Sequence, residues 1–303
     1  MTEGLIICCK NRPVKRLTAS ITRPYAGATI VLATMHAKEA AFASAAELLG
    51  AQLIVPHGVD TDAFGTFTGE IERQGDMRET AIAKARAGMS KAGCSIGIAS
   101  EGSFAPLPAA PFLSQNLELA VLVDRERDIV VVESVASLET NFSAIEVNDN
   151  RMLKEWLTRV GFPEHGLIVR SIGGDAQPVN IKGIRSAREL QQAIKKARNA
   201  APSEVISLET DMRAHMNPTR MRVIAEAANR LATRLNTLCP GCGSPGWGQV
   251  DQVGGLPCAD CGLPTTWIKH VINGCPACPH RSDEDRDDGL AAADPQHCAA
   301  CNP

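Results

Sequence analysis

Eight cysteines near the end of this 303-residue chain are arranged in four C-x-x-C pairs. Two thiolates three residues apart on a tight turn can bind one Zn²⁺, and a second such pair completes its tetrahedral coordination. Four pairs therefore predict two structural zinc ions. The eight predicted ligands are Cys239, Cys242, Cys258, Cys261, Cys275, Cys278, Cys298 and Cys301.

The order of the cysteines leaves open which pairs share an ion. Sequential pairing places the first and second pairs on one ion and the third and fourth on the other. Alternatively, the second and third pairs form a ribbon, because the strand-like stretch TTWIKHVI lies between them. Disulfides are less consistent with the pattern, since we expect a reducing compartment.

The charge of this Cys-rich segment limits its partners. From residue 239 to the last residue, three Lys and Arg stand against eight Asp and Glu. Affinity for a nucleic-acid backbone comes chiefly from Lys and Arg, and two Zn²⁺ do not offset eight thiolates. We therefore expect a structural role or docking of a protein partner, and no binding to nucleic acid.

Three segments in the first part of the chain place charged residues where strands end or helices begin. They are residues 34–38 (TMHAK), 79–86 (ETAIAKAR) and 100–103 (SEGS). A strand end at Thr34 followed by a helix that opens with Lys38 offers N–H groups and a cation to a phosphate. In the other two segments, Glu79 and Glu101 could hold Mg²⁺, and Lys84 could neutralise phosphate charge.

These residues also have structural alternatives. Glu79 lies in capping-box spacing after Asp76, so it could simply cap a helix. Lys38 and Lys84 could be solvated helix residues. Glu101 is expected in a Gly/Ser turn after the third strand, where acidic residues are common.

The order of these motifs resembles the inosine triphosphate pyrophosphatase superfamily, including its xanthosine/inosine triphosphate phosphatase branch. Those proteins carry T-G-N-x-x-K, then E-N-A-x-x-K-A on a helix, then an acidic I-A-D-D-S-G or G-I-E-G-G turn. This chain has T-x-x-x-K, E-T-A-x-x-K-A and I-A-S-E-G in the same order, over roughly residues 29–135. The first motif is one residue shorter, and a second carboxylate is missing from the third. The whole chain also resembles a bacterial family of unknown function with a Cys-rich tail.

The resemblance implies a function and a role for each matching residue. Thr34, Lys38 and Lys84 would contact phosphates, while Glu79 and Glu101 would hold a Mg²⁺ that polarises the triphosphate and activates a water. Residues 215–222 (HMNPTRMR) are similar to the superfamily's S-H-R base-binding stretch and offer Arg220 and, less securely, His215. The implied function is Mg²⁺-dependent hydrolysis of non-standard nucleoside triphosphates to monophosphate and pyrophosphate.

Two other functions fit the same sequence. The chain could be a sensor that binds a nucleotide or another phosphorylated small molecule without turnover. It could also be an interaction protein whose zinc module docks a protein partner. A homodimer is compatible with the sequence, which does not determine the oligomeric state.

The elements that must position these residues alternate between short apolar runs and helical stretches. This pattern predicts an α/β domain over residues 25–236, with a mixed sheet covered by helices, as in the pyrophosphatase superfamily. A mobile basic extension (residues 1–24) precedes it, and a small double zinc-ribbon-like module (residues 237–303) follows. Predicted strands are 29–34, 52–55, 95–99, 118–123, 129–133, 167–170 and 205–208; predicted helices are 38–49, 77–92, 151–160, 186–197 and 218–235.

Composition excludes several classes of protein. Apolar residues make up 44% of the chain and charged residues 21%, with a net charge of −3, which is not typical of disordered or fibrous proteins. There is no apolar stretch near the ~20 residues that span a bilayer, and the N-terminus does not show the apolar region and cleavage site typical of a signal peptide. We therefore expect a cytoplasmic protein without membrane association.

Overall fold

The computed structural model describes residues 23–64, 75–107, 110–147, 150–172, 179–200, 205–286 and 288–303. Five α-helices lie within them: α1 (Glu39–Leu49), α2 (Met77–Ala92), α3 (Asn150–Arg159), α4 (Ala187–Ala200) and α5 (Pro218–Leu235). Most of the predicted basic extension, and residues 65–74 of the connection before α2, lie outside the described residues.

The first sheet has five strands: β1 (Thr29–Leu32), β2 (Gln52–Ile54), β3 (Ile96–Leu107), β4 (Ala110–Asp124) and β5 (Ile129–Ser137). Their order is β2-β1-β3-β4-β5. β1 runs parallel to β2 and β3, whereas β4 pairs antiparallel with β3 and β5. The predicted mixed sheet and the predicted hairpin between β4 and β5 are therefore confirmed.

β3 is much longer than predicted, which corrects the expected position of Glu101. Ser100, Glu101 and Gly102 do not form a turn, because they continue β3 and pair with Ala120, Leu119 and Glu118 of β4. Local composition suggested a break, but the neighbouring strand supplies a ladder of hydrogen bonds that keeps this polar segment extended.

Helices cover both faces of this sheet. On one face, α1 and α5 pack against Ile30, Leu32 and Leu122, and this cluster forms the larger core. On the other face, α2 approaches β3 so closely that a Cβ added at Gly97 would lie 2.5 Å from Cγ of Met89. Glycine at this position therefore permits the contact between α2 and the sheet.

The second sheet is antiparallel, with the order β6-β9-β7-β8. Its strands are β6 (Ala144–Glu146), β7 (Leu167–Ile172), β8 (Asn180–Ile184) and β9 (Val205–Thr210). Its core contains Leu167, Leu208, Trp156 from α3 and Leu190 from α4. β6 and β8 were not predicted, because three residues, or a stretch with Lys and Gly (NIKGI), give no clear strand pattern.

The Cys-rich segment contains the third sheet, of order β10-β11-β12. Its strands are β10 (Gly248–Gly254), β11 (Ile268–Gly274) and β12 (Arg281–Asp285). β11 confirms that the stretch before the third cysteine pair forms a strand. None of the helices in the part of the chain that the structure describes has both the length and the apolar character needed to cross a lipid bilayer.

Candidate functional site

Lys38 covers an open edge of the first sheet. β1 pairs with Gly97 and Ile98 of β3, although β3 continues to Leu107. The ammonium group of Lys38 lies beyond the end of β1 and donates to the carbonyl oxygen of Ser100 (3.1 Å) and to its Oγ (3.0 Å). Lys38 is buried, and it is also the N-cap residue of α1, with no side-chain capping hydrogen bond.

The loop before Lys38 has a strained backbone. Ala37 has a φ of 48°, in the left-handed region that residues other than glycine rarely adopt. Thr34 Oγ1 accepts a hydrogen bond from the backbone N–H of His36 (3.2 Å), and the ring of His36 stacks on His215 at 5.3 Å. Such strain is found where surrounding structure fixes a functional loop.

A second buried cation lies on the α2 side of the sheet. Lys84 of α2 donates to Glu101 of β3, and both side chains are more than nine-tenths buried. Thr80 lies one helical turn before Lys84 and is 2% exposed. Its hydroxyl has no hydrogen-bond partner among the described residues.

The third buried cation lies on the α5 side. Arg220 donates from Nε to Glu118 Oε1 (2.7 Å) and from Nη2 to Oε2 (3.4 Å), and neither side chain is exposed. Its guanidinium lies 5.5 Å from the centroid of the Phe104 ring. The residue predicted to bind a base is therefore held by a carboxylate that the sequence analysis missed.

These five side chains, which we call the charge cluster, are Lys38, Lys84, Arg220, Glu101 and Glu118. When all are ionised, three cations face two carboxylates, and Lys38 donates hydrogen bonds to the carbonyl oxygen and Oγ of Ser100, which carry no charge. Burial, followed by repulsion from Arg220, lowers the pKa of Lys38 to about 8. Since buried charge is costly unless it is paired, this arrangement favours a bound anion.

Glu79 caps a helix, as in the structural alternative for this residue. Its side chain is exposed and accepts from the backbone N–H of Asp76 (3.3 Å), while Asp76 accepts from the N–H of Glu79 (2.7 Å). The two residues thus form a capping box at the start of α2. A role for Glu79 in binding Mg²⁺ stays a prediction.

The carboxylates do not form a ready cage for Mg²⁺. Within the described ranges, cysteines make up both groups in which three or more possible ligand atoms lie within 4.8 Å of one another. Mg²⁺ is often held by one or two carboxylates together with substrate phosphates. Glu101 could therefore contribute to a Mg²⁺ site only if its carboxylate bound both Lys84 and the metal.

A signal for Glu118 and Asn116 was present in the sequence. Both polar residues alternate with apolar ones along β4 (QNLELAVLV) and lie on the face that carries Ala120 and Leu122 in the core. A polar side chain at a core-facing strand position is unusual and requires a partner or a ligand. Thr80 gave no comparable signal, because threonine is common on helix surfaces.

The cysteines form two clusters, and their pairing corrects both interpretations of the sequence. The first cluster joins the first and third pairs: Cys239, Cys242, Cys275 and Cys278. The second joins the second and fourth pairs: Cys258, Cys261, Cys298 and Cys301. The pairs are interleaved because β10, β11 and β12 carry the chain back and forth between the two clusters.

The sulfur positions fit tetrahedral zinc. In both clusters, Sγ atoms of one C-x-x-C pair lie 3.6–3.8 Å from Sγ atoms of the other pair. Zinc–sulfur bonds of about 2.3 Å in a tetrahedron place two sulfurs about 3.8 Å apart, whereas a disulfide bond is about 2.05 Å long. The geometry therefore matches two sites that can hold zinc.

The electrostatics of the thiols also favour a cation. A hydrogen bond with the side chain of Ser244 lowers the pKa of Cys242 to about 6. In the other cluster, the neighbouring Cys261 raises the pKa of Cys301 to about 12. Adjacent sulfurs cannot all be negative at neutral pH unless a metal ion compensates their charge.

The two clusters are built on a repeated turn. The backbone N–H groups of Cys239 and Cys258 donate to Ser244 and Leu263, both at 2.8 Å. Each turn also carries a Trp–His ring contact, Trp247 with His280 (5.2 Å) and Trp267 with His297 (4.6 Å). Both histidines therefore pack on tryptophan, and neither is among the cluster ligands.

The Cys-rich module is anchored to the first sheet through Arg234 at the end of α5. Its Nη1 donates to Glu133 of β5 (2.9 Å) and its Nε to the carbonyl oxygen of Gly246 (3.0 Å). A Cβ at Gly246 would lie 2.7 Å from Val131, so the two parts of the chain are in close contact. This contact is consistent with a structural role for the module.

The fold and the site define a mixed α/β protein with a C-terminal module built on two four-cysteine clusters. The chain belongs to the family DUF6671, described as a domain of unknown function, whose model matches residues 84–303. The match covers all eight cluster cysteines and four members of the charge cluster, but not Lys38. No curated protein matches the chain.

Pairs of cysteine substitutions test the interleaved arrangement. A variant with Cys239→Ala and Cys275→Ala damages one cluster, so it should keep one Zn²⁺ per chain, because the other four thiolates are intact. A variant with Cys239→Ala and Cys258→Ala damages both and should keep none. Zinc is measured by inductively coupled plasma mass spectrometry on purified protein. One zinc in the second variant and none in the first would contradict the interleaving.

Proposed function

We propose that the charge cluster binds the phosphates of a nucleotide, and that the protein is a Mg²⁺-dependent pyrophosphohydrolase acting on non-standard nucleoside triphosphates. The observation that carries the proposal is the excess of buried positive charge at the open edge of β3. Three cations surround this edge, and Lys38 is held there by two hydrogen bonds to the uncharged Ser100. The resemblance to the inosine triphosphate pyrophosphatase superfamily supplies the reaction.

Each cation has a different task in this proposal. Lys38 and the N-terminal N–H groups of α1 bind phosphate oxygens, because a helix N-terminus and an ammonium group both attract anions. Lys84 neutralises phosphate charge and fixes the carboxylate of Glu101. Arg220 is held by Glu118, so it positions neighbouring groups and adds positive potential to the site.

The hydroxyl of Thr80 supports the same location. It is buried without a partner among the described residues, one turn from Lys84, and can donate to a phosphate oxygen. When bound, Mg²⁺ would polarise the triphosphate and lower the pKa of a water. Glu101 would hold the metal and, with Lys84, orient it toward the phosphates.

A second candidate is a sensor that binds a phosphorylated small molecule without turnover. The observation that favours the sensor is that both buried carboxylates of the charge cluster already have cationic partners. Glu101 is paired with Lys84, and Glu118 is paired with Arg220. Glu79 is exposed and caps α2. On this proposal the ligand changes stability or a partner contact, and the zinc module could carry that contact.

Turnover separates the two candidates. Purified protein is incubated with standard and deaminated nucleoside triphosphates, with and without Mg²⁺, and products are separated by chromatography. We expect monophosphate and pyrophosphate only with Mg²⁺, and a decrease in kcat of at least about 10–100-fold for Glu101→Gln, assayed at a temperature at which circular dichroism shows that the variant is folded. Glu79→Gln keeps the capping box, so a loss of kcat in this variant would assign Glu79 to the Mg²⁺ site, and Glu155→Gln, on the exposed surface of α3, is the matched control. Tight nucleotide binding without product would contradict the hydrolase and support the sensor.

The ionisation of Lys38 predicts how anion binding depends on pH. Its pKa of about 8 lies below the ordinary lysine value of 10.5, so the side chain loses its charge as pH rises from 7 to 9. The affinity for tripolyphosphate, measured by calorimetry, should therefore fall over this range. Lys38→Arg stays charged over this range, so its pH profile gives the contribution from the ionisation of tripolyphosphate itself. An identical pH profile in both proteins would contradict the titration of Lys38 over this range.

A further inference from the structure

Asn116 is a buried amide without a visible role in folding. It lies on β4, is 1% exposed, and pairs in register with Phe104 of β3 and Ser137 of β5. Neither Oδ1 nor Nδ2 has a hydrogen-bond partner among the described residues. An unsatisfied buried amide costs folding free energy, and native structures contain few of them.

Another buried asparagine nearby shows the contrast. Asn217, also 1% exposed, accepts from the backbone N–H of Arg220 (3.0 Å) and donates to Oδ1 of Asn141 (2.8 Å). Its amide therefore caps α5 and fixes a loop. Asn116 makes neither kind of contact, so its polar group is better explained by a ligand than by the fold.

The surroundings of Asn116 define what such a ligand would be. Successive strand residues alternate between faces, so Asn116 and Glu118 lie on the same face of the sheet, and Phe104 lies directly opposite Asn116. The ring of Phe104 stacks on Phe142 at 5.6 Å and lies under the guanidinium of Arg220. The amide is thus bordered by aromatic rings and a cation.

The distance between Lys38 and the surroundings of Asn116 matches the length of a nucleotide. Phe104 lies four positions after Ser100, which binds Lys38, and four positions of extended strand cover about 13 Å. An extended nucleoside triphosphate covers such a span. Its phosphates would lie at Lys38 and its ring near Asn116.

We propose that Asn116 is a specificity-determining residue that binds the polar edge of a nucleobase, an inference that rests on the proposed function. The amide presents one donor beside one acceptor, which complements a planar ring edge with an acceptor beside a donor. The rings of Phe104 and Phe142 provide the apolar surface beside which such a base can stack. The ligand thus satisfies the polar atoms that the fold leaves unpaired.

The test compares Asn116→Leu with Asn217→Leu. Leucine has the branched side-chain skeleton of asparagine but a larger volume, and this increase is the same in both variants. Asn116→Leu should still keep or raise the melting temperature, by up to about 2–4 °C, because an unsatisfied amide is removed. Asn217→Leu should lower it, because satisfied hydrogen bonds are lost. Differential scanning fluorimetry on the full chain measures both.

Calorimetry on the same proteins supplies the functional readout. Asn116→Leu should bind inosine triphosphate about tenfold more weakly than wild type, while its affinity for tripolyphosphate, which has no ring, should not change. Unchanged nucleotide affinity, or a loss of melting temperature equal to that of Asn217→Leu, overturns the role of Asn116 alone. If wild type binds neither probe, the proposed function fails, and this inference fails with it.

Discussion

The structure depends on the need to compensate three positive charges buried at one edge of the first sheet. Helix α2 contacts the sheet at Gly97, and this places Lys84 beside Glu101. Helix α5 brings Arg220 to Glu118 from the opposite face. Both pairs are buried, the second completely, so removing one partner would leave a buried charge and destabilise the fold by about 3–5 kcal/mol. Lys38 donates hydrogen bonds to the uncharged Ser100, and an anion from outside would complete the compensation.

The Cys-rich module has a different requirement, which is stability without a large apolar core, and it also meets this requirement through charge compensation. A segment of this size has too little apolar surface for a stable core, so metal binding can supply the missing stability. Interleaved pairs make each cluster depend on distant parts of the segment, which ties the two repeated turns into one unit. Arg234 then joins that unit to β5 and to the helix that carries Arg220. The module and the charge cluster therefore share α5.

Much of this architecture could be predicted, because local signals are strong. The capping box predicted the start of α2, and a glycine and a proline marked the end of α1 and the start of α5. The sequence predicts that Lys84 binds phosphate and Glu101 binds Mg²⁺; in the structure the two side chains form an ion pair, and their roles toward a ligand stay predictions. The Glu118–Arg220 pair joins residues 102 positions apart, and no local pattern reports such a contact. The pairing of the cysteines was equally inaccessible, since it depends on how three strands return between the clusters.

The most direct measurement is the melting temperature of wild type and Lys38→Met in tripolyphosphate, compared with sodium chloride of equal ionic strength. The account predicts that tripolyphosphate raises the melting temperature of wild type, because an anion that binds the folded state stabilises it, and that Lys38→Met loses this increase. The variant also controls for removal of zinc by the polyphosphate, since its cysteine clusters are unchanged. An equal increase in both proteins, or none in wild type, would contradict the claim that the buried cations form an anion site.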